Sequence, residues 1–281
     1  MAGGLLQLSD ARCRFVQITD VHFIADGEPD LTAAQVAAQL CPHKQAPHLM
    51  NTMLRWALRQ ICEEVCPDFI IFTGDQVDFG TDEDGLANHV EFRRLVSDVV
   101  SAQMPVYYAC GNRDRPRERF LELYGQSVYG FECNGCHFTV LDSGATAPKY
   151  GPDPPELFEA GLAQLETMLC VADGQPAAAM IHFSPFPPEA GCEDPQWGDR
   201  AIRMIQQSGR SVPVLSGHLH RGRVDVVGSN PYFNARALVQ SPYAFYLHEL
   251  TREGLTVYEY LFNSQQGRWG RWPTRWRFDL I

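Results

Sequence analysis

Five short apolar runs, each leading into an aspartate, a histidine or an asparagine, constrain this chain more than any other feature. "RFVQIT" (14–19) ends at Asp20, with His22 two residues on. "DFIIFT" (68–73) leads into Asp75 and Asp78 of "GDQVD". "PVYYA" (105–109) leads into Asn112 and Arg113 of "GNRD", "AAAMIH" (177–182) closes on His182, and "VPVLS" (212–216) leads into His218 and His220 of "GHLH". Runs of this length, rich in β-branched and aromatic residues, read as buried strands. Helical spacing separates them. Met50, Leu54, Leu58, Ile61 and Val65 recur as one apolar face, Val90, Leu95, Val96 and Val99 as another, and helices are predicted near 156–170 and 200–208. Alternating strands and helices predict an α/β core, whose ligand sites lie just past the C-terminal ends of the strands. All five polar clusters fall there, and strands converging in one sheet would bring their loops together. Roughly the last 60 residues read as short strands and predict a second sheet packed on the first.

The donors at those strand ends are carboxylates, imidazoles and one neutral amide oxygen. That mixture suits two borderline or hard dications such as manganese, iron or zinc. Glycines precede Asp75, Asn112 and His218, where they let the backbone turn tightly beside a crowded site. At 281 residues, one domain spanning 1–281 is the expectation. The Pro-marked stretch 25–47 is read as an active-site flap or cap insertion within it. A net charge of -11 argues against a nucleic-acid backbone as partner, which needs a basic face. It leaves small phosphorylated substrates open, because bound cations would invert the local charge. No run reaches membrane-spanning length, and "MAGGLLQLSDARC" lacks a basic n-region, so no membrane and a cytoplasmic location are expected. The nine scattered cysteines are read as mostly reduced core thiols, with Cys62 and Cys66 four apart on a helix and facing the core.

D-x-H, GD-x-x-D, GN, a lone His and GH-x-H, in that order between Asp20 and His220, resemble the calcineurin-like metallophosphoesterase superfamily. The resemblance implies a four-layer α/β/β/α sandwich. It implies two divalent metal ions, one on Asp20, His22 and His220, the other on Asn112, His182 and His218, with Asp75 bridging. It also implies a hydrolase in which a metal-bridging hydroxide attacks a phosphodiester. Asp78 is not a direct ligand in that pattern and is assigned to orienting a histidine ligand or its loop. "LDSG" (141–144) and the helix containing "LAQLETML" resemble the cyclic-nucleotide phosphodiesterase branch, which makes a 3′,5′-cyclic nucleotide the first substrate expectation. "GNRD" resembles instead the UDP-diacylglucosamine pyrophosphatase branch, so hydrolysis of a nucleotide-sugar or other pyrophosphate is the alternative. A non-catalytic scaffold on the same fold is the third, disfavoured because such proteins tend to lose ligands.

In many superfamily members a histidine follows Gly-Asn and helps the leaving group depart. Here Arg113 stands there, and arginine releases no proton near neutral pH. Its fork of donors favours charged phosphoryl oxygens over a departing alkoxide. The expectation is a preference for good leaving groups, or an acid recruited elsewhere, such as His43 of the flap. The rival is that Arg113 only pairs with Asp114 or a nearby carboxylate. His43 apart, His48, His89, His137 and His248 match no motif. "CNGCH" (133–137) has the form of a haem-attachment signature, but Asn134-Gly135 is the stronger signal for a two-residue hairpin turn, which makes Cys133 and Cys136 a structural cross-strand pair. In the tail, Trp276, Phe278 and Leu280 alternate with charged residues as in a half-buried strand.

Overall fold

Each apolar run does form a strand, and the strands sort into two six-stranded sheets. The computed structural model describes residues 13–280 except 43, 80–82, 143–154, 173 and 187–194. The first sheet has β1 (Cys13–Ile18), β2 (Phe69–Thr73) and β3 (Val106–Ala109) parallel to one another. It is completed on the other side of β1 by the antiparallel β10 (Ala244–Leu250), β11 (Gly254–Asn263) and β12 (Arg268–Asp279). The second runs β4 (Tyr129–Cys133), β5 (Cys136–Val140), β6 (Ala177–Met180), β7 (Val214–Ser216), β9 (Asn230–Asn234) and β8 (Arg223–Val227) in spatial order.

The four expected layers are visible in how the strands divide their side chains. From β1, Val16 and Ile18 join a core with α2 (Met50–Gln60) and α3 (Glu83–Val99), through Met53, Leu54, Leu58, Phe92 and Val96. Phe15 points the other way, into a core between the sheets with Phe69, Phe138, Met180, Leu215 and Phe233. Behind the second sheet, Ala177, Ala179 and Val214 pack on α5 (Pro155–Val171) and α6 (Pro195–Gln207) through Leu162, Leu165, Trp197 and Ile205. One polar strut crosses the inter-sheet core. The buried Gln17 amide donates to Thr73 Oγ1 (3.0 Å) and to the Ser216 carbonyl (3.1 Å), while its oxygen meets His248 Nε2 (3.0 Å). A buried amide keeps its stability only when it is satisfied in this way.

Two expectations need correction. The five clusters do not hang from one sheet: those after β1–β3 belong to the first, those after β6 and β7 to the second. The terminal strands do not form a sheet of their own either; β8 and β9 extend the second and β10–β12 the first. Alternating apolar residues specify a strand but not its partner. The hairpin expectation holds: Cys133 pairs with Cys136, and Asn134 and Gly135 take φ of 50° and 71°, as a type I′ turn requires. The tail is a strand whose Trp276 and Phe278 pack on the inter-sheet core. The cysteines are less buried than expected, since only Cys13, Cys110 and Cys136 of the eight described are buried. Cys66 is exposed because the helix does not run through it: α2 passes into a π-helical turn at Ile61–Val65, and Cys66 ends it in the left-handed region.

The stretch 25–47 carries α1 (Ala33–Gln39), opened by a capping box of Thr32 and Gln35. Val36 and Ala46 are buried in the outer helical core, and Ala46 N–H donates to the Val239 carbonyl (2.9 Å). His43 lies outside the described residues.

Candidate metal centre

The seam where the two sheets meet gathers all seven predicted donors. The loop after β1 is tied to the loop after β2 by Asp20 N–H to the Gly74 carbonyl and His22 N–H to the Asp75 carbonyl, both 3.1 Å. The second sheet is drawn in by Gly217 N–H to the His182 carbonyl (3.1 Å) and His218 N–H to Asp20 Oδ2 (2.9 Å). Asp20, His22, Asp75, His218 and His220 all have positive φ, between 47° and 73°. Non-glycine residues adopt that conformation rarely and at a cost, and they cluster at functional sites. Glycine is needed just beside them. A Cβ at Gly111 would overlap Asp75, and one at Gly217 would overlap Thr19 and Asp20.

The donors fall into two triads, Asp20–His22–His220 and Asp75–His182–His218. Asp75 faces both. Its Oδ2 lies 3.6 Å from His22 Nε2 and its Oδ1 3.5 Å from His182 Nε2, and Asn112 Oδ1 joins the second group 3.2 Å from His182 Nε2. Three histidines have Nδ1 engaged behind the site: His22 with Asp78 Oδ1 (2.9 Å), His182 with the Thr73 carbonyl (2.8 Å) and His220 with Gln240 Oε1 (3.0 Å). Holding Nδ1 this way aims each Nε2 inward, as ligating histidines require.

The unsatisfied atoms fit cations. Asp20 is fully buried, yet its Oδ1 accepts no well-aligned hydrogen bond, although His220 Nε2 is 3.3 Å and His22 Nε2 3.9 Å away. His22 Nε2 and His220 Nε2 face each other at 3.3 Å. Carboxylate oxygens and imidazole nitrogens converging on shared points form a donor set for dications.

Charge has the same meaning. Burial works against a charged His22, but the Asp20 carboxylate beside it, the hydrogen bond to Asp78 and the Asp75 charge outweigh it and push its pKa up to about 10. Burial likewise opposes and the Asp75 charge raises His182, to about 9. His218, half-buried beside His182, is pushed down to about 4 by that burial and the neighbouring imidazole. Without metal, then, His22 and His182 hold protons at pH 7 in the places cations would take. Metal loading at pH 7 is expected to release about two protons, because ligation needs neutral imidazole. Affinity should climb as pH rises towards 9–10 and fall on acidification. Calorimetry in buffers of different ionisation enthalpy reads the number directly, and a value of zero would refute this protonation pattern.

Arg113 lines the pocket over the donors, a cavity of about 340 Å³ shared with Gln45, Arg221 and Gln240. Its Nη1 donates to the Asp78 carbonyl (3.3 Å) and stands 3.8 Å from Asp78 Oδ1, and its guanidinium lies 5.5 Å from the Phe79 ring. Of the rival expectation, pairing with Asp114 is not found, but pairing with a nearby carboxylate is: the Asp78 side chain is the partner. The Asp114 carboxylate is fully buried and accepts from the backbone N–H groups of Gly111 (2.8 Å), Gln76 (2.8 Å) and Val77 (3.3 Å), which locks the "GNRD" loop onto "GDQVD". Burial and the neighbouring Asp75 charge push Asp114 up to about 7. Asp142 of "LDSG" is likewise occupied, holding Arg117 Nη2 at 2.9 Å; Ser143 and Gly144 lie outside the described residues. Sequence reasoning missed Asp114, Gln45, Gln240 and Arg221 as parts of the site. Only Arg221, directly after "GHLH", carried a signal by its position.

A family model described as calcineurin-like phosphoesterase matches residues 13–222. No curated protein matches the sequence. Among solved structures, a dimetal phosphatase from Danio rerio superposes with a TM-score of 0.69 at 15% identity, covering 96% of this chain and 99% of that one. A structure titled "GAP50 the anchor in the inner membrane complex of Plasmodium" gives 0.60 at 14% identity over 96% and 89%. At such identities these likenesses establish the shared fold.

Proposed function

The chain belongs to the calcineurin-like phosphoesterase family, and from that premise we propose that it hydrolyses phosphodiesters and pyrophosphates whose leaving groups depart without a proton donor. It is a metal-dependent phosphoesterase. That preference rests on Arg113, which stands in the pocket over the metal donors and has no proton to give.

Asp20, His22 and His220 would hold one ion and Asn112, His182 and His218 the other, with Asp75 between them. When bound, such a pair of dications supplies Lewis acidity for water and for the phosphoryl oxygens. The chain's own groups do the rest. Asp78, the Thr73 carbonyl and Gln240 keep protons on the Nδ1 atoms, which leaves each Nε2 lone pair free to ligate. Arg113 offers a fixed fork of donors to a non-bridging oxygen or a departing phosphate. Arg221 lines the same pocket and adds a second cation for an anionic substrate. Charge that builds on phosphoryl oxygens is met at once by these preoriented groups. A ribose alkoxide leaving from a 3′,5′-cyclic nucleotide would find no proton on Arg113. The scaffold alternative is disfavoured because all seven donors are in place.

The test is a panel with manganese: a bis-aryl diester, a nucleotide-sugar pyrophosphate, a 3′,5′-cyclic nucleotide and an alkyl monoester. The diester or the pyrophosphate is expected to exceed the others in kcat/KM by about tenfold or more, within the range a positioned acid commands. Preference for the cyclic nucleotide would overturn the proposal, and two bound metals with no turnover of any ester would favour a scaffold.

A further inference from the structure

At the opposite ends of the same strands, three side chains converge that no step above uses. Cys13 opens β1, Asp68 directly precedes β2, and Cys133 closes β4 at the hairpin. The sulfurs of Cys13 and Cys133 and a carboxylate oxygen of Asp68 all lie within 4.8 Å of one another. Cys13 belongs to the first sheet and Cys133 to the second, so the cluster straddles their seam at its far end. At about 3.3 Å per residue along β1, it stands on the order of 20 Å from Asp20.

We propose that Cys13, Cys133 and Asp68 form a second metal site, for one zinc-like dication, separate from the phosphoesterase centre. Two sulfurs and one carboxylate are a donor set that selects zinc over magnesium, calcium or manganese. Donors about 2.0–2.3 Å from a tetrahedral zinc stand roughly 3.3–3.8 Å apart, so atoms already within 4.8 Å of one another need at most about 1–1.5 Å of closure. The carboxylate is already oriented: Asp68 Oδ2 accepts from Arg14 N–H (2.7 Å). Such an outer hydrogen bond is what holds a ligating carboxylate in place. Cys133 and Cys136 flank a two-residue turn, the C-x2-C spacing of structural zinc sites, and the fourth position falls to Cys136 or to water. The hairpin expected from Asn134-Gly135 is thus also the element that presents a sulfur across the seam. The ion would clamp the start of β1 to the edge hairpin of the facing sheet.

Cobalt(II) titration of the metal-free full chain tests this. The seven donors of the phosphoesterase centre include no sulfur, so a thiolate-to-cobalt charge-transfer band in the near ultraviolet reports on cysteine ligation alone. The wild type should show the band, saturating with one equivalent beyond the two of the other centre, and zinc should abolish it. Cys133→Ser should lose the band while keeping its manganese-dependent turnover, and Asp75→Asn should keep the band. Asp68→Asn should bind cobalt at this site about tenfold or more weakly. No band in the wild type, or an undiminished band in Cys133→Ser, would overturn the proposal.

Discussion

Asp75→Asn is expected to lose both phosphoesterase metals and at least about 10³-fold in kcat/KM, the upper scale for removing one preorganised electrostatic contact. The expectation rests on one carboxylate serving two sides. Its Oδ2 looks to His22 and its Oδ1 to His182, while Oδ1 also accepts Arg113 N–H at 2.7 Å. An amide has the same shape but offers one neutral oxygen and a donor, which would face an imidazole nitrogen. Removing a terminal donor such as Asn112 leaves both triads whole, so its loss should be smaller. Metal content by elemental analysis, beside circular dichroism to show the fold intact, makes the measurement. Two retained metals with normal turnover would show that Asp75 does not bridge.

The second large effect is expected from Arg113, read across phosphoesters of graded leaving-group pKa. Wild-type rates should fall steeply as that pKa rises, since Arg113 delivers no proton and Asp114 is buried on backbone donors. Arg113→His should flatten the slope by supplying a titratable acid, a gain of about 10²–10⁴ for the poorest leaving groups. Arg113→Ala should lose rate on every substrate. Asp114 does not compete for the guanidinium, being committed to three backbone donors, and Asp78 holds only its Nη1, through a carbonyl at 3.3 Å and a carboxylate oxygen at 3.8 Å. Equal slopes for the wild type and Arg113→His, with Arg113→Ala fully active, would remove Arg113 from the chemistry.

The donors were legible because each sits where an apolar run stops, and a run's end is a property of local sequence. The hairpin at Asn134-Gly135 was legible for the same reason: the turn type dictates its residues. What was not legible depends on partners distant in the chain. Nothing in the alternation of "RWRFDL" says that β12 joins the sheet of β1 rather than a third layer. Asp114 could not be told from any loop aspartate, because its three partners are backbone groups without a residue signature. Cys13 stands just before the run at 14–19 as one of nine scattered cysteines, and only the meeting of two sheets sets it beside Cys133. Cys66 was misjudged because helical spacing does not announce where a π-helical turn will end the helix.

The first sheet has a consequence for how the molecule comes into being. β1 is central to it, yet one of its two neighbours is β10, so the strand made early waits for one made late. The active centre has the same dependence, since His22 and His220 are 198 positions apart. Chains emerge at about 5–20 residues per second, N-terminus first. During synthesis β1–β3 must therefore stand with an unpaired edge for several seconds, and such edges invite pairing with other chains. Distant pairing also slows the folding that ends this exposure. The vulnerable period of this protein is its birth, and chaperone supply should govern its yield more than the strength of its finished core does.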